Sequence, residues 1–539
     1  MTSAPLKSAA VAFVGLIGAV SFVCGCGGST ATVSTAPGTT AGTPVSGSAD
    51  TTGQTAVKSG GTMSIATDPA TNRDPHFASA RSDILINQQV YDWLVEIDQN
   101  NSPQPELATA WDSPDGKTWT FTLRSGVVFS NGTPFTADDV VYSFNRLRDP
   151  KVGTPDVGLY KNIASITAVD ATHVKFALTD PNPEFPADTG DYHAAVLSHT
   201  VSDPAKQWVG TGPFMITSYA AEDRAILKKN PHYWGKDAQG GTLPYLDELD
   251  FIFLPDQASQ VNALLGGQVQ FNGGLTSELA ASVKKDSSLN LLTGPASAFH
   301  YVIHMRSDAG SPTSDPKVQQ ALQLGTDHQG LIDQVRPGLA VVGNGTPVGP
   351  AYTADYLDQA PTYDPAKAKQ LLADSGHGGG LTITLYAQDA LEVPAIATVW
   401  KAQMAKIGVT VNIQTEPADV YYGDGDTSWL KCDFGITEWG ARATPAELFN
   451  VAYVSDGAYN ESHWSDPEFD ALVKQIGSEL DATKRAQLYK QAQQIFVARG
   501  PVIVPFFEKA AAGVSASIEG ITIAPDWSRT QFRTAHSSK

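Results

Sequence analysis

Along most of the chain, short runs alternate apolar with polar residues, and stretches of helical spacing separate them. Gly60-Gly61-Thr62-Met63-Ser64-Ile65-Ala66 alternates and predicts an opening strand. Residues 85–95 carry apolar positions at helix-like spacing. Lys117-Thr118-Trp119-Thr120-Phe121-Thr122-Leu123 predicts a half-buried strand. Further strand patterns fall at residues 249–254, 300–305, 381–386 and 409–413. Thr136 and Asp139 stand three apart before Val140-Val141-Tyr142-Ser143-Phe144, the signature of a capping box opening a helix. Asp315-Pro316, Asp364-Pro365 and Asp466-Pro467 place an Asp cap before a Pro at the first helical position. Ser375-Gly376 predicts the end of the helix that begins at Pro365. Strands mixed with helices throughout predict α/β layers rather than a bundle or a sandwich.

The first 60 residues follow a different pattern. Lys7 supplies positive charge, and residues 9–23 are almost wholly apolar and small. Such a run reads as a secretory signal, too short for a membrane span. Its end, Val23-Cys24-Gly25-Cys26, resembles the bacterial lipobox, which puts the acylated cysteine at Cys26. Of the 34 residues from 27 to 60, 28 are Ser, Thr, Gly, Ala or Pro, so the segment cannot bury a core and reads as a tether. As a flexible chain it spans about 30 Å end to end.

At 539 residues, two or three lobes are expected rather than one core. The formal net charge of −20 argues against nucleic acid and against a polybasic hold on anionic lipid. Removal of Lys7 with the signal would make it −21. Cys24, Cys26 and Cys432 form no CxxC pair, so no disulfide framework is expected, and Cys432 reads as a packed small hydrophobe. No GxSxG elbow, HExxH helix or GxxxxGK loop occurs. His300 and His304 share a strand face, but no cysteine or paired carboxylate stands close in sequence to complete a metal site.

The most specific signal begins at Pro105-Glu106-Leu107-Ala108 and Trp111. It continues through residues 115–129 (DGKTWTFTLRSGVVF) and 131–144 (NGTPFTADDVVYSF). This run strongly resembles the family 5 extracellular solute-binding proteins, the oligopeptide, dipeptide and nickel binders of ABC importers. Gly210-Thr211-Gly212-Pro213-Phe214, Asn230-Pro231-His232-Tyr233-Trp234, the Asp-Pro helix openers and Pro501-Val502-Ile503-Val504-Pro505 agree with it.

The resemblance implies a two-lobed periplasmic-binding-protein-like α/β clamshell with an extra subdomain on the first lobe. Its boundaries are a signal peptide over 1–25 and a lipid-anchored flexible linker over 26–60. Lobe I then spans 61–300, with an inserted subdomain over about 105–210, and is completed by 510–539; lobe II spans 301–509. It implies a monomeric substrate-binding lipoprotein on the outer face of the cytoplasmic membrane. That protein would hand a peptide-like or other small polar solute to ABC permease subunits, with no catalysis and no cofactor. A ligand-sensing lipoprotein or a nickel or haem binder would use the same fold; a secreted hydrolase would share the signal and the acidity.

The resemblance also implies the site. In peptide-binding relatives one loop carries a tryptophan, two small residues and an aspartate that pairs with the peptide's α-ammonium. Here Trp439, Gly440 and Ala441 fit, but Arg442 stands in the aspartate's place. A cation cannot hold an ammonium group; Arg442 would instead grip a carboxylate or phosphate. Asn460, Tyr421, Tyr422, His304 and Ser79 map to positions near the ligand. For each, packing, capping or a core role is the competing expectation, and for Arg442 a pairing with Glu447.

Overall fold

A computed structural model describes residues 57–538, apart from Asp424 and Ala443. The signal, Cys26 and nearly all of the tether lie outside the described residues.

The predicted strands form, and most join one 12-stranded sheet. In its first part, Thr62–Thr67 pairs in parallel with Glu248–Phe253, with Met63 opposite Leu249, and with Phe271–Gly273. In its second part, Leu381–Gln388 pairs in parallel with Val409–Glu416 and with Phe434–Trp439. The helix Val393–Ala405 connects the first two of these three strands, the crossover that parallel pairing requires.

Two long strands pass through both parts. Leu289–Met305, 17 residues long, runs antiparallel to Phe507–Ser515. Their register shifts between Thr293 and Ala296 and again between Ala296 and His300. Such irregularities bend a ladder, and here they stand where the chain leaves one core for another. One buried core gathers residues from Met63 to Phe271 with Ala512 to Ala535. Two others gather residues from Ala298 to Phe507. The molecule therefore has two packed bodies joined by the crossing strands.

A separate four-stranded antiparallel sheet sits on the first body, ordered Ala108–Asp112, Thr118–Leu123, His173–Leu178, Ile163–Asp170. Inward positions of Thr118–Leu123 are buried in strict alternation. Phe121, Phe144, Phe176 and Phe185 meet edge to face, with ring centroids 5.1–5.5 Å apart for the three closest pairs. Each such pair adds about 0.5–1.5 kcal/mol beyond area burial.

Helix starts follow local chemistry. The Thr136 N–H donates to Asp139 Oδ2 at 2.8 Å and opens Ala137–Leu147. Asp315, Asp364 and Asp466 cap Pro316–Leu324, Pro365–Asp374 and Pro467–Ile476. Ser375 closes the second of these, and Gly376 takes the positive φ of +86° that favours glycine there. The helix expected over residues 85–95 instead runs Arg81–Val90. Asp83 draws its start back by accepting from the Ala80 N–H at 3.1 Å, and Tyr91 is already extended. Among the described residues, no helix is long and apolar enough to cross a membrane.

Candidate functional site

The C-terminal ends of the parallel strands from both bodies converge. Asp68 follows Thr67, Gly274 follows Gly273, Leu391 lies just past Gln388, and Ala441 lies just past Trp439. All four line a cavity of about 440 Å³ between the bodies. Open α/β sheets bind ligands outside the carboxyl ends of their strands. The cavity's other walls include Phe299 and Tyr301 of the long crossing strand, Glu508 of the return strand, and Trp527.

Three of the sequence-predicted residues, none of them lining this cavity, meet around one carboxylate. Trp439 Nε1 donates to Glu461 Oε1 at 3.0 Å. His304 Nδ1 lies 3.1 Å from Glu461 Oε2. Tyr421 reaches the same carboxylate through Thr437: the phenol lies 3.0 Å from Thr437 Oγ1, which itself donates to Glu461 Oε2. Glu461 is thus the hub of a fully buried network, and the sequence reading did not single it out. Its adjacency to Asn460 was visible; its burial depends on strands far away in the chain.

His300 and His304 occupy one strand face and ionise oppositely. Burial pushes His300 down to about 4, with the Ala298 carbonyl opposing and the Arg442 charge adding to the fall. Burial also works against charge on His304, but Cys432 and Glu461 beside it outweigh that and carry it up to about 10. The Glu461 carboxylate beside Nδ1 thus favours the charged form of His304. Cys432, buried as expected, touches its Nε2 at 3.5 Å through sulfur.

The other predicted residues fall as follows. The Arg442 guanidinium lies over the Trp439 ring at 5.7 Å and 3.9 Å from Glu447 Oε1. The Tyr422 hydroxyl accepts from the Glu438 N–H at 3.3 Å, and its ring meets Tyr421 and Trp429 edge to face. Asn460 staples its loop: Nδ2 donates to the carbonyls of Val454 and Trp464, and Oδ1 accepts from the Trp464 N–H. Ser79 is on the first body, exposed, with its N–H on Asp83 Oδ2 at 3.2 Å.

The bodies also touch away from the cavity. Glu184 of the first body receives the Tyr489 hydroxyl at 3.0 Å and faces Arg485 Nε at 3.3 Å, both on the helix Ala482–Arg499 of the second. These charged side chains are only 7% and 6% exposed. Burial raises Glu184 and the Arg485 charge opposes it. Burial, with the Glu184 charge adding to it, pushes Asp355 up to about 8.

Asp156, Asp191 and His193 also cluster, with candidate ligand atoms within 4.8 Å of one another. His193 Nδ1 faces Asp156 at 2.6 Å and Asp191 at 3.1 Å, while Nε2 faces the Ala78 carbonyl at 2.8 Å. Both ring nitrogens act as donors, so the ring is a buried cation: burial opposes the charge, and Asp156 and Asp191 override it and hold the ring near 10.

The model of the bacterial extracellular solute-binding proteins, family 5 Middle, matches residues 102–461. The chain is 28% identical over 474 residues to the glutathione-binding protein GsiB of Salmonella typhimurium, covering 85% of this chain and 90% of that protein. Its fold matches the substrate-binding protein CtaP of Listeria monocytogenes with a TM-score of 0.78 at 23% identity, over 89% of this chain and 100% of that one. It also matches DppA of Helicobacter pylori in complex with the peptide STSA, with a TM-score of 0.69 at 24% identity, over 89% and 99% of the two chains.

Proposed function

The chain belongs to the bacterial extracellular solute-binding proteins of family 5, and from that premise we propose that it takes a peptide-like or other small polar solute between its two bodies and delivers it to an ABC importer. The observation that carries this reading is the cavity walled by strand ends of both bodies. A solute there touches both at once, so it stabilises the arrangement in which they face each other closely. The crossing strands, with their shifted register, are the hinge. On this reading the lobes are 61–300 with 510–539, and 301–509, and the four-stranded sheet lies within the insertion of about 105–210. Cys26 would carry the lipid anchor and residues 27–60 the tether.

Nothing need be transformed in the cavity. Among the described residues no histidine or cysteine lines it, so it offers no nucleophile activated by an imidazole. The glutathione-binding relatives make glutathione and short peptides the first solutes to try. Native mass spectrometry of the purified protein, followed by titration with glutathione and a pooled di- and tripeptide library, tests the reading. A stoichiometric small solute that leaves unchanged in mass supports it. A cavity that retains and binds nothing, or a solute that is consumed, contradicts it.

A further inference from the structure

The buried charges at Asp156, Asp191 and His193 do not balance. All three belong to the first body, and none lines the cavity between the bodies. Their side chains are 2%, 0% and 2% exposed. Among the described residues, His193 is the one cation paired with either carboxylate. Two carboxylates against one imidazolium leave a charge of −2 + 1 = −1 in a site without water access. Buried charge left unmatched is costly. A divalent cation in place of the proton on Nδ1 would bring the sum to −2 + 0 + 2 = 0.

The geometry suits that exchange. His193 Nδ1 faces Asp156 Oδ2 at 2.6 Å and Asp191 Oδ1 at 3.1 Å, and one donor atom from each residue lies within 4.8 Å of the other two. The far nitrogen, Nε2, is held by the Ala78 carbonyl at 2.8 Å. A histidine that ligates a metal through one nitrogen almost always donates the other N–H to such a carbonyl or to a carboxylate, which fixes the ring. Asp191 Oδ2 is buried with no hydrogen-bond partner, so this carboxylate keeps an acceptor in reserve while Oδ1 takes the His193 N–H at 2.8 Å. A tetrahedral ion at about 2.0–2.2 Å from each donor sets the donors about 3.3–3.5 Å apart. Asp156 would therefore withdraw from Nδ1 by about 1 Å.

The three ligands and the carbonyl come from separate segments. Asp156 lies between the helix Ala137–Leu147 and Tyr160. Asp191 and His193 follow the short helix Phe185–Asp188. Ala78 closes the turn Pro75–Phe77 and stands just before the helix Arg81–Val90, whose first residue lines the cavity. An ion at this point would tie the subdomain to the loop that sets the start of that helix.

We propose that Asp156, Asp191 and His193 form a structural site for one divalent transition-metal ion of the zinc class. One imidazole nitrogen with two carboxylate oxygens selects that class over calcium and magnesium, which take oxygen ligands throughout. The ion would be a fastener, remote from the solute, and the site does not depend on the solute-binding reading above.

The test uses the full chain without a polyhistidine tag, grown with added zinc and desalted without chelator. Metal per chain is read by inductively coupled plasma mass spectrometry. About one zinc per chain is expected, falling at least tenfold in Asp156→Asn and in His193→Gln. Thermal unfolding of the chelator-treated protein should then rise in midpoint on refolding with zinc, but not with calcium or magnesium, and neither variant should respond. Should both variants fail to fold, the wild type's zinc content and its zinc-dependent midpoint decide the matter. A wild type that holds less than a tenth of an equivalent, and whose midpoint zinc leaves unmoved, overturns the proposal and leaves the trio an ion pair. Zinc held equally by the folded variants is adventitious and overturns it too, as does a midpoint raised as far by calcium.

Discussion

The two places where the bodies meet solve the same electrostatic problem in opposite ways. At the Glu184–Arg485–Tyr489 contact the charges are almost wholly buried and the partners come from the protein itself. At the cavity, the Arg81 guanidinium lines the wall, and its charge acts on Glu438 and Glu508. The first arrangement can only hold the bodies together; the second leaves a charge open to the cavity. Burying a charge without a partner costs several kcal/mol, so such a charge belongs where solvent or solute can reach it. Arg81 is partly exposed and Arg485 is not.

The largest expected effect lies at the sealed contact. Arg485→Ala leaves Glu184 buried with the Tyr489 and Thr444 hydroxyls but no cation, and should cost about 3–5 kcal/mol in the packing of the two bodies. Chemical denaturation reads the loss, and small-angle scattering should show the bodies separating. Adding Glu184→Gln should recover most of it. If Arg485→Ala is neutral, the contact is no clasp.

Next comes pH. Asp355 is raised to about 8, so its folded form holds a proton that the unfolded chain gives up near the ordinary carboxylate value. Its contribution is fully present below that value and is lost as pH rises through about 8. One group changes stability by about 1.4 kcal/mol per pH unit at most. Denaturation at pH 5.5, 7 and 8.5 should show that decline, and Asp355→Asn should flatten it; an unchanged slope would remove Asp355 from the account.

Smaller effects test the support behind the cavity. Trp439→Phe removes the donor to Glu461 and should cost about 1–3 kcal/mol of stability. Tyr422→Phe gives up a longer bond to the Glu438 N–H, 3.3 Å, and should cost about 0.5–1.5 kcal/mol. If the second loss exceeds the first, the Glu461 network is not what holds the Trp439 loop.

What the sequence made legible was whatever depended on neighbours in sequence. The Thr136–Asp139 box and the Asp-Pro helix starts need only three or four residues, and all formed. Strand alternation located the sheet for the same reason. Of the residues singled out for the site, none lines the cavity, although Ala441, between Trp439 and Arg442, does. Trp439, His304 and Tyr421 do converge, but on Glu461, a carboxylate made important by strands that lie over a hundred residues away from it at His304. His300 and His304 looked equivalent because periodicity reports a shared face and not the partner on that face. Arg81 drew no attention because a cation at a helix start looks ordinary until Asp83 is seen to be committed to Thr71, Asn72, Ser79 and Ala80.

The central claim is that one solute engages both bodies at once and leaves unaltered. Hydrogen exchange of the full chain, with and without the peptide pool, tests it most directly. The account predicts slowed exchange together at residues 255–276 of the first body, 388–392 and 439–442 of the second, and 297–301 and 507–511 of the crossing strands, with the peptide masses unchanged afterwards. Slowing confined to one body, or peptides cleaved during the incubation, would contradict it.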